Sequence, residues 1–187
     1  MQTAYIGMGA NLASRARPPE ATLAAAARRL ERLGRVAAQS SLYSTEPVGY
    51  AEQPRFVNAV VALETDLAPR ALLDELLAIE REFGRDRAHG ILNGPRTLDL
   101  DILIIGDVCI HESELEIPHP RLAERAFVLI PLKEIAPQAI DPRHQKTVAQ
   151  LLKKLNEESK GEPNAVVRIQ SDHWRAGARD AAGRSDA

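Results

Sequence analysis

The run LDLDILII at residues 98–105 is almost entirely apolar but contains two aspartates. Its short length and its content of leucine and isoleucine predict a buried strand. Side chains alternate between the faces of a strand, so Asp99 and Asp101 share one face. An unpaired ionised carboxylate is costly in a dry core. The run therefore predicts a strand with one open face and one packed face, and the packed face carries Leu98, Leu100, Ile102 and Ile104.

The patterns along the rest of the chain predict an α+β fold. The order of elements is β-α-β-β-α-β, which is typical of a ferredoxin-like sandwich. In that fold both helices cover one face of an antiparallel sheet, and the other face is free for a ligand. After these elements, residues 117–129 are expected to form a connector and residues 131–137 a short segment. The predicted strands are residues 4–8, 35–45, 55–65 and 98–105, and the predicted helices are residues 20–33, 69–83 and 147–155.

Length and composition predict one domain in a reducing compartment. The 187 residues suit a single domain at 1–157, followed by a polar, partly disordered tail at 158–187. The net charge of −2 argues against non-specific binding to nucleic acid or to a membrane surface. We find neither a signal peptide nor a run long enough to span a membrane. Cys109 is the single cysteine and is expected to be inert packing, so we expect a cytoplasmic protein.

The aspartate pair predicts a metal site. Two neighbouring carboxylates repel each other unless a cation lies between them, and hard oxygen ligands suit Mg²⁺. The D-x-D pattern alone is weak, because exposed aspartates also meet solvent or nearby arginines. Paired acids among cations are, however, what a magnesium-nucleotide site needs, and the loop at residues 85–93 could close over a triphosphate. The cations close in sequence are Arg85, Arg87, Arg96, His119 and Arg125.

A second ligand surface is predicted on the strand at residues 55–65. Phe56 and Asn58 share a face, where a ring and an amide suit a flat heterocycle that forms hydrogen bonds. The alternative is a core phenylalanine beside an asparagine at a strand edge. The segment GMGAN lacks the third glycine of a dinucleotide-binding loop, so Gly7 and Gly9 are interpreted as sites of close backbone approach.

Several segments occur in an order that carries a family resemblance. They are YIGMGANL, SSLYSTEPVG, QPRFVNAVVALET, IEREFGRDR, GPRTLDLDIL, IPHPRLAERAFVLIPL and EIAP. In this order they resemble the 6-hydroxymethyl-7,8-dihydropterin pyrophosphokinase family of folate biosynthesis, from about residue 3 to residue 155. The most specific parts are GPRTLDLDI and the segment that begins with PHPR.

The resemblance implies a monomeric, ferredoxin-like enzyme. Such an enzyme moves the pyrophosphoryl group of ATP to the hydroxymethyl oxygen of the pterin and releases AMP. By motif position, two magnesium ions would be bound by Asp99 and Asp101, with Arg85 and Arg87 on a loop that closes over ATP. The implied pterin pocket consists of Thr45, Pro47, Val48, Phe56, Asn58 and Phe127. The implied ATP site consists of Glu80, Arg87, Arg96, Ile102, His119 and Arg125, and the implied catalytic cations are Arg85, Arg87, Arg96, His119 and Arg125.

The sequence leaves two other functions open as alternatives. A different Mg²⁺-dependent nucleotidyl or phosphoryl transferase would explain the aspartate pair but not the pocket of Phe56, Asn58 and Phe127. A ferredoxin-like module that binds RNA would need stacking aromatics and a basic surface. The chain has only seven aromatic residues and a negative net charge, and RNA binding does not call for paired aspartates.

Overall fold

The main sheet follows the predicted β-α-β-β-α-β order. A computed structural model describes residues 1–47, 52–86, 94–158, 166–175 and 177–178. The elements are β1 (Gln2–Ala10), α1 (Pro19–Leu30), β2 (Arg35–Gln39), β3 (Leu42–Thr45), β4 (Phe56–Thr65), α2 (Pro69–Glu82) and β5 (Asp99–Ile105). The strands are antiparallel: β2 and β3 both pair with one edge of β4, β1 pairs with its other edge, and β5 pairs with β1. This is the ferredoxin-like arrangement, as predicted.

Further elements follow β5 along the chain. They are β6 (Ile110–His111), β7 (Glu116–Ile117), a 3₁₀ turn (Leu122–Glu124), α3 (Ala126–Ile135), β8 (Ile140–Asp141), β9 (Lys146–Thr147), α4 (Val148–Glu158), β10 (Val167–Ile169) and β11 (Gly177–Ala178). Strands β6 and β7 form one hairpin, and strands β8 and β9 form another. Within the described ranges, no helix is long and apolar enough to cross a membrane.

The sheet has a core on each face. Helices α1 and α2 pack on the first face, against alternate residues of β1, β4 and β5 such as Ile6, Val61 and Leu100. Helices α3 and α4 pack on the second face, around Val60 and Leu103. The face expected to be free is therefore partly covered by the C-terminal additions. The part left open lies beside the first turn of α3, and the candidate site is there.

Two predicted strands differ in extent from the observed ones. Strand β1 continues to Ala10, beyond the predicted end at residue 8, because Gly7 and Gly9 pair with both neighbouring strands. The predicted strand at residues 35–45 is broken into β2 and β3 at Ser40. The Ser40 hydroxyl accepts the backbone N–H of Val60 at 2.9 Å, and so a side chain replaces one ladder bond.

A bulge in β5 changes one predicted orientation. Tyr5 pairs with Ile104 and Ile6 pairs with Ile102, which leaves Leu103 as the extra residue. The alternation shifts at this point, so Ile104 joins Leu103 in the second core and Ile105 packs in the first. The prediction that Ile104 faces α1 and α2 was therefore wrong.

The region between β7 and α4 was predicted as a connector and a short segment, but it contains helix α3. Pro131 lies inside this helix and lacks the N–H that would bond one turn back, which is why its sequence argues against a helix. Buried contacts of Val128, Leu129 and Leu132 stabilise it. Cys109 was also misjudged, since it is exposed in the segment after β5 instead of packed in an apolar core.

Part of the predicted tail packs onto the sheet. Strand β10 pairs with β3, and β11 pairs with β2. Trp174 is 8% exposed and its indole N–H donates to the carbonyl oxygen of Ser40 at 2.7 Å. The described residues beyond 165 therefore extend the sheet, whereas the division at residue 157 stays a prediction.

Candidate active site

A cavity opens on the second face of the sheet, where β1, β4 and β5 meet the first turn of α3. Its floor consists of strand residues, and one wall belongs to α3. Most of the residues implied for metal and pterin binding line this one cavity. The lining residues are Gly7, Met8, Gly9, Thr45, Glu46, Phe56, Asn58, Ala59, Val60, Arg96, Asp99, Asp101, Leu103, Arg121, Arg125, Phe127 and Val128.

The register of the strands explains how the floor is formed. Gly9 pairs with Asp99 on one side and with Asn58 on the other. Two strand spacings, about 10 Å, therefore separate the backbones of Asp99 and Asn58, with a residue that lacks a side chain between them. A Cβ at position 9 would lie 3.2 Å from Asn58 Oδ1. Gly9 thus keeps open a flat surface between two polar groups, in accord with the predicted close backbone approach.

The Asp99 carboxylate lies between two arginines. Arg96 Nη1 donates to Asp99 Oδ2 at 2.6 Å, and Arg85 Nη2 lies 3.8 Å from Oδ1. The Arg85 Nε is buried and has no hydrogen-bond partner among the described residues. A buried guanidinium N–H that lacks a partner among these residues is a ready donor to a ligand oxygen.

Asn11 holds the segment that carries Arg96. Its Oδ1 accepts the Arg96 backbone N–H at 2.7 Å, and its own backbone N–H donates to the Arg96 carbonyl at 3.0 Å. The Asn11 side-chain nitrogen also donates to the carbonyl of Pro54, 3.0 Å away. One buried asparagine therefore links the ends of β1 and of the GPR segment to the start of β4. Sequence reasoning missed this role, although Asn11 ends the GMGAN segment.

The aromatic side chains of the cavity each lie beside a cation. The Arg96 guanidinium carbon lies 5.2 Å from the Phe56 ring centroid, and the Arg125 guanidinium carbon lies 5.6 Å from the Phe127 ring centroid. These distances are within the range of cation–π contacts. Burial lowers the pKa of Arg125, as does repulsion from nearby Arg121, whereas Asp101 and Asp99 raise it.

The polar end of the pocket is formed by Asn58 and Thr45, which are 7% and 3% exposed. The Asn58 Nδ2 donates to Thr45 Oγ1 at 2.8 Å, which fixes the orientation of the amide. Pro47 follows on the same segment but is not among the residues that line the cavity. Val48, the remaining residue implied for the pterin pocket, lies outside the described residues.

A second cavity lies on the other side of Asp101, between β5, α2 and the β6–β7 hairpin. It is lined by Ile102 and His119, both implied for ATP binding, and Asp101 belongs to both cavities. The His119 backbone N–H donates to the Leu103 carbonyl at 2.9 Å and so fixes the connector to β5. Strand β5 therefore separates two cavities that meet at Asp101.

His119 is held as a neutral imidazole. Its Nδ1 accepts the backbone N–H of Arg121 at 3.0 Å, which leaves the proton on Nε2. Burial, followed by repulsion from Arg125 and Arg121, lowers the pKa of His119 to about 4, although Asp99 and Glu116 act in the opposite direction. At neutral pH this side chain is a donor through Nε2 and carries no charge.

Glu80, a further implied residue, lies outside the first cavity. Glu80 is 1% exposed, and its Oε1 accepts the backbone N–H of Leu100 at 2.8 Å, so it ties α2 to β5 behind the site. Arg87 lies outside the described residues, together with the rest of the loop from residue 87 to residue 93. Arg121 lines the first cavity but was not selected from the sequence, although it belongs to the PHPR segment.

The arrangement is typical of enzymes that transfer phosphoryl groups, in which carboxylates and arginines surround the transferred group. Residues 5–137 match the family model described as 7,8-dihydro-6-hydroxymethylpterin-pyrophosphokinase (HPPK). The chain belongs to this family.

Relatives with the family's name cover most of the chain. The 2-amino-4-hydroxy-6-hydroxymethyldihydropteridine pyrophosphokinase of Pseudomonas aeruginosa is 47% identical over 148 residues, which are 77% of this chain and 88% of that protein. The enzyme of the same name from Methylorubrum extorquens is 38% identical over 172 residues, or 91% of this chain and 100% of that protein. The second alignment extends well beyond the range of the family model.

Solved structures share the fold. The wild-type HPPK-DHPS of Plasmodium falciparum superposes with a TM-score of 0.65 at 15% identity, covering 87% of this chain. This chain spans 46% of the length of that larger protein. At such low identity the likeness shows the fold alone.

Proposed function

We propose that the protein transfers the pyrophosphoryl group of ATP to the hydroxymethyl oxygen of 6-hydroxymethyl-7,8-dihydropterin and releases AMP, as a step of folate biosynthesis. The observation that carries the proposal is the row Asp99–Gly9–Asn58 across three strands. In this row the Asp99 carboxylate and the Asn58 amide lie on opposite sides of Gly9. A pterin that lay on Gly9 could bind Asn58 through its ring and direct its hydroxymethyl group towards Asp99. Membership of the HPPK family supports the same reaction.

The pterin is proposed to lie on Gly9, between Phe56 and Phe127. Asn58, held by Thr45, would form hydrogen bonds with the polar edge of the heterocycle. Pro47 and Val48 would complete the pocket. With its polar edge at Asn58, the pterin would direct its hydroxymethyl arm towards Asp99.

The nucleotide is proposed to bind on the β5 side, with its base in the second cavity near Ile102 and its phosphates near the carboxylates. Arg85 supports this placement because its buried Nε lacks a partner among the described residues. His119 would donate to a phosphate oxygen through Nε2, and Arg96 and Arg125 would neutralise further charge. Arg87 would act from the closing loop, and Glu80 would position β5 through its bond to Leu100.

Asp99 and Asp101 are proposed to hold two magnesium ions. They offer hard oxygen atoms on one face of one strand, and both line the first cavity. Among the described residues, no cluster of three or more histidine, cysteine, aspartate or glutamate side chains could hold a metal ion alone. The two carboxylates therefore fit ions whose remaining ligands are water and ATP oxygens. When bound, magnesium would neutralise the triphosphate and help to orient it.

In the proposed reaction the hydroxymethyl oxygen attacks the β-phosphorus in line with the leaving group. The new bond joins this oxygen to the β-phosphorus, and the bond to the α–β bridging oxygen breaks. That oxygen leaves on AMP with the electron pair, and the hydroxyl proton passes to water. Phe56, Phe127 and Asn58 orient the nucleophile, while the arginines stabilise the charge that grows on the bridging oxygen.

We further propose that the enzyme is a cytoplasmic monomer that binds neither nucleic acid nor membranes. The net charge of −2 supports the lack of nucleic-acid and membrane binding, the single cysteine supports a reducing compartment, and the family resemblance supports the monomer. Size-exclusion chromatography with light scattering would report the mass in solution, and a dimer mass would contradict the monomer.

The direct test is to incubate the protein with ATP, Mg²⁺ and 6-hydroxymethyl-7,8-dihydropterin and to separate the nucleotides. We expect AMP in equal amount to the pterin pyrophosphate, and no AMP without the pterin. ADP as the nucleotide product would indicate a simple kinase. The absence of any pterin-dependent product would contradict the proposed function.

A further inference from the structure

Glu134, in the last turn of α3, ties that helix to β3. Its Oε2 accepts the Ser41 backbone N–H at 2.8 Å and the Tyr43 hydroxyl at 2.9 Å. Its Oε1 accepts the Ser41 hydroxyl at 2.8 Å, and Arg168 of β10 approaches the same oxygen at 3.8 Å. Both carboxylate oxygens therefore receive donors from β3 or from the residue before it, and the C-terminal strand adds a cation.

The two elements that Glu134 joins form facing parts of the candidate pterin pocket. Strand β3 ends at Thr45, whose hydroxyl holds the Asn58 amide. Helix α3 has Phe127 and Val128 in its first turn, and both line the same cavity. The separation of α3 from β3 therefore sets the separation between the aromatic wall and the polar end of the pocket.

The position of this carboxylate has an electrostatic cost. A negative charge in the last turn of a helix is disfavoured by the helix dipole, so Glu134 does not serve the stability of α3 itself. Its side chain is only 29% exposed, and its contacts with Ser41, Tyr43 and Arg168 offset that cost. Burial and the hydrogen bond to Glu134 raise the pKa of Tyr43 to about 12, so the hydroxyl remains a donor at physiological pH.

We propose that Glu134 is a positioning residue that sets the width of the pterin pocket, and that strand β10 supports it through Arg168. The proposal rests on the proposed function, because it takes the cavity as the pterin pocket. The family match ends at residue 137, so β10 contributes to the site from outside the matched range. If the walls of the pocket are already held at the right separation, less free energy is lost in ordering them when the substrate binds.

The test uses the full chain and compares the two Michaelis constants. The E134Q variant keeps the shape of the side chain but replaces one carboxylate oxygen, an acceptor, with an amide NH₂, a donor. This donor then faces a donor of Ser41 or Tyr43, so a hydrogen bond is lost. We expect the KM for the pterin to rise about tenfold, the cost of one unsatisfied hydrogen bond, with the KM for ATP within about twofold of wild type. R168Q should raise the pterin KM about two- to threefold, because its contact is longer. K133Q, on the adjacent exposed position of the same helix, is the matched control and should change neither constant.

Other outcomes would overturn the proposal. A lower melting temperature of E134Q with an unchanged pterin KM would indicate a purely structural role, and an equal rise of both constants would place the effect outside the pterin pocket. If E134Q does not fold, S41A removes a single donor and should raise the pterin KM about threefold; no rise would refute the role of Glu134. Wild-type protein that forms no AMP would refute the proposed function instead, so the two failures are distinguishable.

Discussion

Arg96 Nη1 lies 2.6 Å from Asp99 Oδ2, and the same guanidinium lies over the ring of Phe56 at 5.2 Å from the centroid. One cation therefore contacts both the proposed metal-binding face and the proposed pterin pocket. A carboxylate that binds a metal ion has fewer lone pairs for Arg96, which leaves the guanidinium available to phosphate oxygens. Arg96 can therefore act in the proposed reaction both at the metal-binding face and at the pterin pocket.

Replacement of Asp101 by asparagine should abolish most of the activity. D101N keeps the size of the side chain but removes a charge from the point where the two cavities meet. We expect the rate of pterin-dependent AMP release to fall by more than about 100-fold, with the thermal unfolding curve near that of wild type. D107N, on an exposed residue of the turn after β5, is the control. Retained turnover in D101N would contradict the metal assignment.

Replacement of Asn58 by alanine should weaken the binding of the pterin but not that of ATP. The amide is 7% exposed and oriented by Thr45, so its loss removes hydrogen bonds to the pterin edge and leaves the nucleotide side intact. We expect the dissociation constant for the pterin to rise about 10- to 100-fold and that for ATP to stay within about twofold, as measured by calorimetry. N156A on α4 serves as the control. Similar losses for both ligands would argue against a pterin pocket at Asn58.

The unfolding free energy should fall as the solution is acidified from pH 6.5 to about 4. His119 has a pKa of about 4 in the folded protein against an ordinary value of 6.5, so the unfolded chain binds more protons in this window. The stabilisation from the neutral imidazole is fully present above pH 6.5 and is lost as the pH falls, by up to about 3 kcal/mol.

Urea unfolding of wild type and H119N across this pH range would measure the effect. Asparagine retains an acceptor near the position of Nδ1 but does not titrate, so the slope with pH should be smaller in H119N. H111N, which changes an exposed histidine, is the matched control variant. Identical slopes in wild type and H119N would show that His119 does not titrate as described.

Gly34 is expected to be intolerant of a side chain. A Cβ at this position would collide with the backbone carbonyl of Glu64 on β4, which cannot move without disturbing the sheet. We expect G34A to lose about 1–3 kcal/mol of unfolding free energy in urea titration. G7A is a useful comparison, because the nearest atoms to its Cβ would be those of the Leu103 side chain, which can adjust, and it should lose less stability. Equal stability of G34A and wild type would contradict the close approach.

Sequence periodicity predicted the elements with a regular internal pattern. The alternation at residues 56–63 and the helical spacing at residues 69–83 correspond closely to β4 and α2. Helix α2 buries one regular face, whereas β4 places alternate residues, such as Val61 and Val60, in the two cores. Helix α3 was missed because Pro131 argues locally against it, whereas its stability comes from contacts with the second core. The inverted face of Ile104 depends on a bulge, and a bulge leaves no mark on a run of apolar residues.

The sequence pointed to those residues of the candidate site that lie close together in a short motif. Asp99 and Asp101 were selected by spacing on a strand, and Phe56 with Asn58 by a shared face. Arg121 and Asn11 were not selected, since their roles depend on a turn and on a contact between distant segments. The packing of Trp174 against Ser40 joins positions 134 residues apart, which no local pattern reveals.

Gly9 has a consequence for the design of inhibitors. A flat compound placed between Asn58 and Asp99 would lie on the peptide backbone at this position. Resistance commonly requires a substitution that obstructs the drug, but any side chain at position 9 starts with a Cβ 3.2 Å from Asn58 Oδ1. The substitution would crowd the amide proposed to bind the natural substrate. An escape mutation here would therefore impair the proposed reaction as well.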